Sequence, residues 1–408
     1  MRDLLPILTS LAWPFAIAIA WIAGEFGQRW TGLPRISFYG VVGFALASSQ
    51  LGILPAPGVG NDSGAVPMLA DVAFGLILFE LGYRINLNWL RTNPWIGISG
   101  LVESLVTFIA VYLIALAFGT PQLSALMLAA LSMATSPATV VRVINEQRSS
   151  GQVTERVLHL TAQNCVLAVF AFNVVVGFWI FRTSEDLGDA IWNSLVLLAV
   201  SLLTGAVFGL AVPALLRSFH NPRQDATVAF ALAVILLVAI SYAGGLSPVV
   251  STLAFGLVAR HRRVAFSQAQ RGFGALGELL TVLLFVFAAS TLDWQKVAAG
   301  SLLAVIIVLA RLVTKTGGVV AFAHLSGITW RKGALAGVAL APLSVFVILL
   351  LEHARQRGVH VVEELRSVAA VTMLLEVFGP IIIQRALMWA REVPKPAPTP
   401  QPEAHHAA

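Results

Sequence analysis

Two stretches of this chain place a proline among small hydroxyl residues inside long apolar runs. One reads Met133-Ala134-Thr135-Ser136-Pro137-Ala138-Thr139, the other Leu340-Ala341-Pro342-Leu343-Ser344. Proline lacks the N–H that closes a helical hydrogen bond and crowds the carbonyl one turn earlier, so each stretch can break a helix. An isolated kink needs no further explanation. A pair of breaks can do chemistry, because unwound carbonyls and half-helix ends hold small ions or charged solutes. Groups suited to work with them also lie inside apolar runs: Glu103, Arg311, Lys315 and the adjacent Asn164 and Cys165. Ionisable side chains at such positions are costly and usually pair with one another or carry ions and protons. Glu103 reads as a proton carrier or as the ion-pair partner of Arg311 or Lys315. Those two basic residues, four apart, share a helix face. Glu278 and Glu376 are secondary candidates, more readily explained as packing or ion-pair residues. Glu80 is accounted for by an interfacial pair with Arg84 one turn on, and His159, near the start of its run, by an interfacial position.

The elements that must position these groups follow from composition. The 408 residues are 58% hydrophobic and 11% charged, with mean hydropathy +0.84, against roughly 25% charged in a soluble domain. Apolar runs fall near 4–23, 36–53, 66–83, 95–118, 121–143, 157–181, 190–216, 225–243, 247–260, 272–291, 297–323, 333–351 and 367–389. At about 20 residues per crossing these predict an all-α integral membrane protein of about thirteen helices, the run at 247–260 being short and half-buried. The first run could be a signal peptide, but its length favours a retained helix. The single cysteine excludes an intramolecular disulfide, and no Cys or His pattern suggests a metal or other cofactor. The net charge of +6 reads as a topology signal and not as nucleic-acid binding.

Loops after the odd-numbered runs, with the C-terminal end, carry eighteen of the 26 Lys and Arg residues, and the other side carries six. That asymmetry predicts an N-terminus outside and a C-terminus in the cytoplasm. The proline breaks fall in the fifth and twelfth runs. An odd offset of seven means that they cross in opposite directions, the layout of an inverted repeat with two crossed broken helices. At 1.5 Å per residue, Ser136, Pro342, Asn164, Cys165, Glu103 and Lys315 all fall roughly 10–14 Å from the cytoplasmic boundary, which implies one polar layer. Residues 1–393 read as one transmembrane domain and the Pro-rich 394–408 as a disordered cytoplasmic tail, with nothing after 394 able to form a nucleotide-binding regulatory domain.

From about residue 65 to 390 the chain resembles the monovalent cation:proton antiporter superfamily, particularly Kef-type and Na+/H+ exchanger transmembrane domains. The resemblance rests on LADVAFGLILFELGYRINLNWLR (69–91), ATSPATVVRVINEQ (134–147), LHLTAQNCVLAVFAF (158–172), GLSPVVSTLAFGLV (245–258), LLFVFAASTLD (283–293) and LLEVFGP (374–380) in that order. It implies a Na+/H+ antiporter-like fold in a bacterial inner membrane, a mobile core holding the crossed helices, and a panel that forms a homodimer. It also implies exchange of a monovalent cation, Na+ or K+, for protons by alternating access; no Ser/His, paired-Asp or metal-ligand constellation within a run points to an enzyme. The family's helix break falls on Thr135, Ser136 and Pro137, its basic residue on Arg311 or Lys315, and a recurrent glutamate before Gly-Pro on Glu376. Its ion-carrying Asn-Asp or Asp-Asp pair falls on Asn164 and Cys165, so a thiol stands where the essential carboxylate is expected. A neutral thiol cannot compensate a partly dehydrated cation. Glu103 then becomes the replacement carboxylate, and a non-transporting membrane regulator or partner becomes the alternative function. An anion transporter using Arg311, Lys315 and half-helix N-termini is a weaker third reading.

Overall fold

The structure, a computed structural model, describes residues 4–55, 65–179, 187–218, 222–262, 267–343, 346–351 and 366–394. Each apolar run becomes a helix or a helix pair, and no strand occurs among the described residues. In chain order these are α1 (Leu4–Thr31), α2 (Arg35–Leu46), α3 (Ala65–Arg84), α4 (Leu87–Thr92), α5 (Pro94–Ala117), α6 (Gln122–Met133), α7 (Pro137–Gln147), α8 (Gln152–Trp179), α9 (Leu187–Leu216), α10 (Pro222–Ala243), α11 (Pro248–His261), α12 (Ser267–Ser290), α13 (Trp294–Ala321), α14 (Trp330–Ala339) and α15 (Arg366–Trp389). Among the described residues, seven spans are long and apolar enough to cross a membrane.

The boundaries differ from the sequence reading where hydropathy is a poor guide. α1 runs on to Thr31 because its polar end is held by an Arg29–Glu25 pair of 2.9 Å. α2 stops at Leu46, well short of 53. The short amphipathic α4 has no apolar run behind it; Asn86 caps it by accepting from the N–H groups of Asn88 and Trp89. α1 is an integral part of the fold, with Trp13, Ala16 and Ala20 buried. Of the tail, 395–408 lie outside the described residues.

Both proline breaks are present. α6 ends at Met133 and α7 begins at Pro137, with Ala134 and Ser136 extended between them. α14 ends at Ala339, residues 341–343 are non-helical, and helix resumes over 346–351. The seven-run offset is visible in the packing: α3 lies on α11 as α2 lies on α12, and α5 meets α6 and α8 as α13 meets α14 and α15. This is the inverted repeat. The helices sort into a core set (α5 to α8 and α13 to α15) and a panel set (α1 to α3 and α9 to α12).

Panel helices approach through glycine. A Cβ on Gly256 of α11 would strike the Phe79 carbonyl of α3, and one on Gly82 of α3 would strike the Leu253 carbonyl. Both obstacles are backbone, so no rotamer change can relieve them. Gly256→Val is therefore expected to cost about 1–3 kcal/mol, as overpacking of a close-packed interior does. A lowered melting temperature of the detergent-purified protein would show it; an unchanged value would mean that α3 and α11 are not in contact.

Candidate functional site

Breaking two helices in a hydrocarbon environment leaves carbonyls with no water to satisfy them. Four consecutive positions on the first break and three on the second carry such carbonyls, and each finds a donor. Arg311 of α13 donates to the carbonyls of Ser132, Ala134 (3.1 Å) and Ala341 (3.2 Å). Lys315, one turn along the same helix, donates to Met133 (2.9 Å). The Cys165 thiol donates to Thr135 (3.3 Å) and the Thr135 hydroxyl to Leu340 (3.0 Å). The backbone N–H of Ser136 donates to Pro342 (2.8 Å), which ties one break directly to the other. Arg311 and Lys315 thus stand at the carbonyl ends of α6 and α14, where helix dipoles favour positive charge.

Lys315 also meets Glu103, its Nζ lying 3.0 Å from Oε2 and 3.4 Å from Oε1, with both side chains fully buried. Pairing is what makes either charge tolerable there. Gly318 allows it: a Cβ there would collide with Glu103, so α5 and α13 can close only on a glycine. Asn164 completes the layer, donating to the Thr135 hydroxyl (3.1 Å) and accepting from Ser104 (3.0 Å). Ser136 caps α7, its hydroxyl accepting from the Thr139 hydroxyl at 3.1 Å and the Thr139 N–H at 3.4 Å. Thr135, Ser136, Asn164, Cys165, Glu103 and Lys315 are all buried with Arg311 in this one polar layer.

Other candidates fall elsewhere. Glu278 is part-exposed and pairs with Arg35 at 3.0 Å, at the end of α7 remote from the break. The Glu376 side chain and Ser344 lie outside the described residues. Glu80 does pair with Arg84 (3.0 Å), and it is also buried, because it accepts from Asn145 (2.8 Å). His159 is buried too, accepting from the Asn86 N–H (3.1 Å) beneath Trp89. Three residues of the layer escaped the sequence reading: Ser104, and the hydroxyls of Thr107 and Thr314, 2.9 Å apart. Helical periodicity could have found Thr107, which stands one turn from Glu103 on the same face.

Crossed half-helices bridged by buried cations in an all-helical, multi-pass membrane protein define an antiporter-type secondary-transporter scaffold. The sequence profile described as "Sodium/hydrogen exchanger, transmembrane" matches residues 15–389, and the chain belongs to that family. The fold is shared with the sodium proton antiporter MjNhaP1 from Methanocaldococcus jannaschii. Its structure at pH 8 aligns with TM-score 0.66 at 15% identity over 94% of this chain and 97% of that one. An electron-microscopy structure of MjNhaP1 gives 0.71 at 15% identity over 92% and 95%. No curated protein sequence matches the chain.

Removing Lys315 leaves Glu103 buried without its ion-pair partner. Lys315→Ala is expected to destabilise the protein by about 3–5 kcal/mol, whereas Lys315→Met combined with Glu103→Leu recovers most of that loss. Thermal unfolding of the two variants in the same detergent distinguishes these outcomes; equal destabilisation by both would mean that the pair is not the reason for the loss.

Proposed function

We propose that this protein exchanges a monovalent cation, Na+ or K+, for protons by alternating access. In this reading it works as a homodimer in a bacterial inner membrane, N-terminus outside and C-terminus cytoplasmic. Family membership and fold support cation:proton exchange. The observation that carries the finer reading is the fully buried Glu103 carboxylate, 3.0 Å from Lys315 in the layer of the two breaks. A cation arriving there needs oxygen ligands and one negative charge. Thr135, Asn164 and Ser136 offer neutral oxygens, and Glu103 offers the charge. The carboxylate is already engaged by an ammonium, so it can serve the cation only if Lys315 withdraws. A lone charged lysine in that apolar layer is costly, so its withdrawal releases a proton. The cation and the protonated lysine then compete for one carboxylate, so that cation binding and proton binding exclude each other, which is the requirement for antiport. The basic, odd-loop face supports the orientation: Arg260 reaches the Arg84 carbonyl, Arg84 reaches Asn145, and Lys332 meets Gln152 at 3.0 Å, all at one end of the bundle.

One observation favours a second reading, a non-transporting regulator or partner. At the position where the family resemblance calls for a carboxylate, the Cys165 thiol is occupied with a backbone carbonyl.

The experiment is exchange in liposomes: a pH gradient is imposed and its dissipation recorded on adding Na+, K+ or Li+. Wild type is expected to dissipate the gradient and Glu103→Gln to abolish that response. Normal exchange in Glu103→Gln removes Glu103 from the mechanism, and a silent wild type with any of the three ions favours the regulatory reading.

A further inference from the structure

The seam between core and panel is built differently at its two ends. At the basic end the last turn of α7 is gripped by the panel on two sides. Asn145 donates to Glu80 of α3 (2.8 Å) and accepts from Arg84. Glu146 accepts from Gln28 of α1 and from the backbone N–H of Arg35 at the start of α2 (3.3 Å). A third contact joins the same layer, Gln384 of α15 donating to the Gly32 carbonyl (2.8 Å). These bonds run from core to panel and stabilise neither body by itself.

The opposite end holds a cavity. One wall is panel, with Asp71 and Leu78 of α3, Tyr242 of α10 and Ser247 before α11; the other is core, with Phe172 and Asn173 of α8. Asp71, the one charged side chain among its described lining residues, lies about 13 Å along α3 from Glu80 by helical rise. Toward the layer of the breaks the cavity lining reaches Leu78 and Val169. Val169 is one turn beyond Cys165 on α8, so the cavity ends about 6 Å along that helix from the thiol.

We propose that Asn145 and Glu146 are positioning residues that latch the core to the panel at the basic end. The structure is then the arrangement closed on that side and approachable by a hydrated cation from the Asp71 side. For the crossing to face the basic side, α7 must leave Glu80, Arg84, Gln28 and Arg35. The purpose of the latch rests on the exchange reading, but its existence does not. Both latch residues sit at the end of α7, the half-helix that Ser136 caps and Pro137 begins, so a shift of α7 moves the break with it.

The chain contains its own reporter. Cys165 is its single cysteine and is fully buried in the layer of the breaks. The test is the rate at which a membrane-impermeant maleimide labels Cys165 in oriented membrane vesicles, applied to one face and then the other. In Asn145→Ala/Glu146→Ala, labelling from the basic face is expected to rise about tenfold or more over wild type, since hydrogen bonds to charged groups are lost on both sides of α7. Labelling from the Asp71 face is not expected to rise. Glu25→Gln is the control, because it breaks two ion pairs, to Arg29 (2.9 Å) and Arg35 (3.1 Å), that lie wholly within the panel. It should leave both rates at the wild-type level. No increase in the double variant, an equal increase from both faces, or the same increase in Glu25→Gln would each overturn the latch. Labelling needs no ion flux, so a protein that fails to exchange cations would sink the proposed function while leaving this result to stand or fall by itself.

Discussion

The structure depends on satisfying a broken backbone where no water can help. Every unpaired carbonyl in the membrane interior costs several kcal/mol, and the two breaks expose them from Ser132 to Thr135 and from Leu340 to Pro342. The solution is centralised. One helix, α13, crosses behind both breaks, and two of its side chains supply four of the seven donations. Arg311 is suited to this because its guanidinium fans several N–H donors across a plane and so reaches carbonyls on α6 and α14 at once. With Arg311 and Lys315 in place the crossing becomes a single rigid object.

That solution creates a second constraint. Two cations buried on one face of α13 exceed what the carbonyl ends can offset, and Glu103 enters through α5, the helix that corresponds to α13 in the inverted repeat. Gly318 brings α5 close enough for the ion pair, and Gly337, where a Cβ would meet Thr316, brings α14 against α13 in the same way. The carboxylate, the two cations and the two glycines therefore form one unit.

Much of this was legible in the residues. Pro137 and Pro342 marked the breaks, their odd offset marked the inversion, and counting depth along each run put Glu103, Asn164, Cys165 and Lys315 in one layer. Depth counting succeeds because a helix rises uniformly, whatever its neighbours. It says nothing about direction around the helix axis, so the choice between Arg311 and Lys315 as the partner of Glu103 stayed open until the packing of α5 on α13 resolved it. Glu80 and His159 were placed at an interface because hydropathy sees only their own run. Their burial comes from α7 and α4, which are distant or amphipathic in sequence. No local pattern announces Asn145 and Glu146, since their partners lie on three panel helices distant in sequence.

The thiol at position 165 takes on a different meaning in this setting. Read as a substitution for a carboxylate it is a loss, because a charge is missing. Read from the structure it is a donor, since its Sγ–H points at the Thr135 carbonyl, the one carbonyl in the first break that α13 does not reach. An ionised carboxylate at that position has no hydrogen to give and would face the carbonyl oxygen with like charge, so it could occupy the site in this arrangement only if protonated or bound to a cation. Cys165 therefore allows the Thr135 carbonyl to stay paired with no cation at that position. The charge requirement then falls on Glu103, one helix away, where it is coupled to Lys315 and through Lys315 to the Met133 carbonyl. A change at Glu103 is therefore passed to the first break through that lysine, which ties the state of the carboxylate to the integrity of the crossing itself.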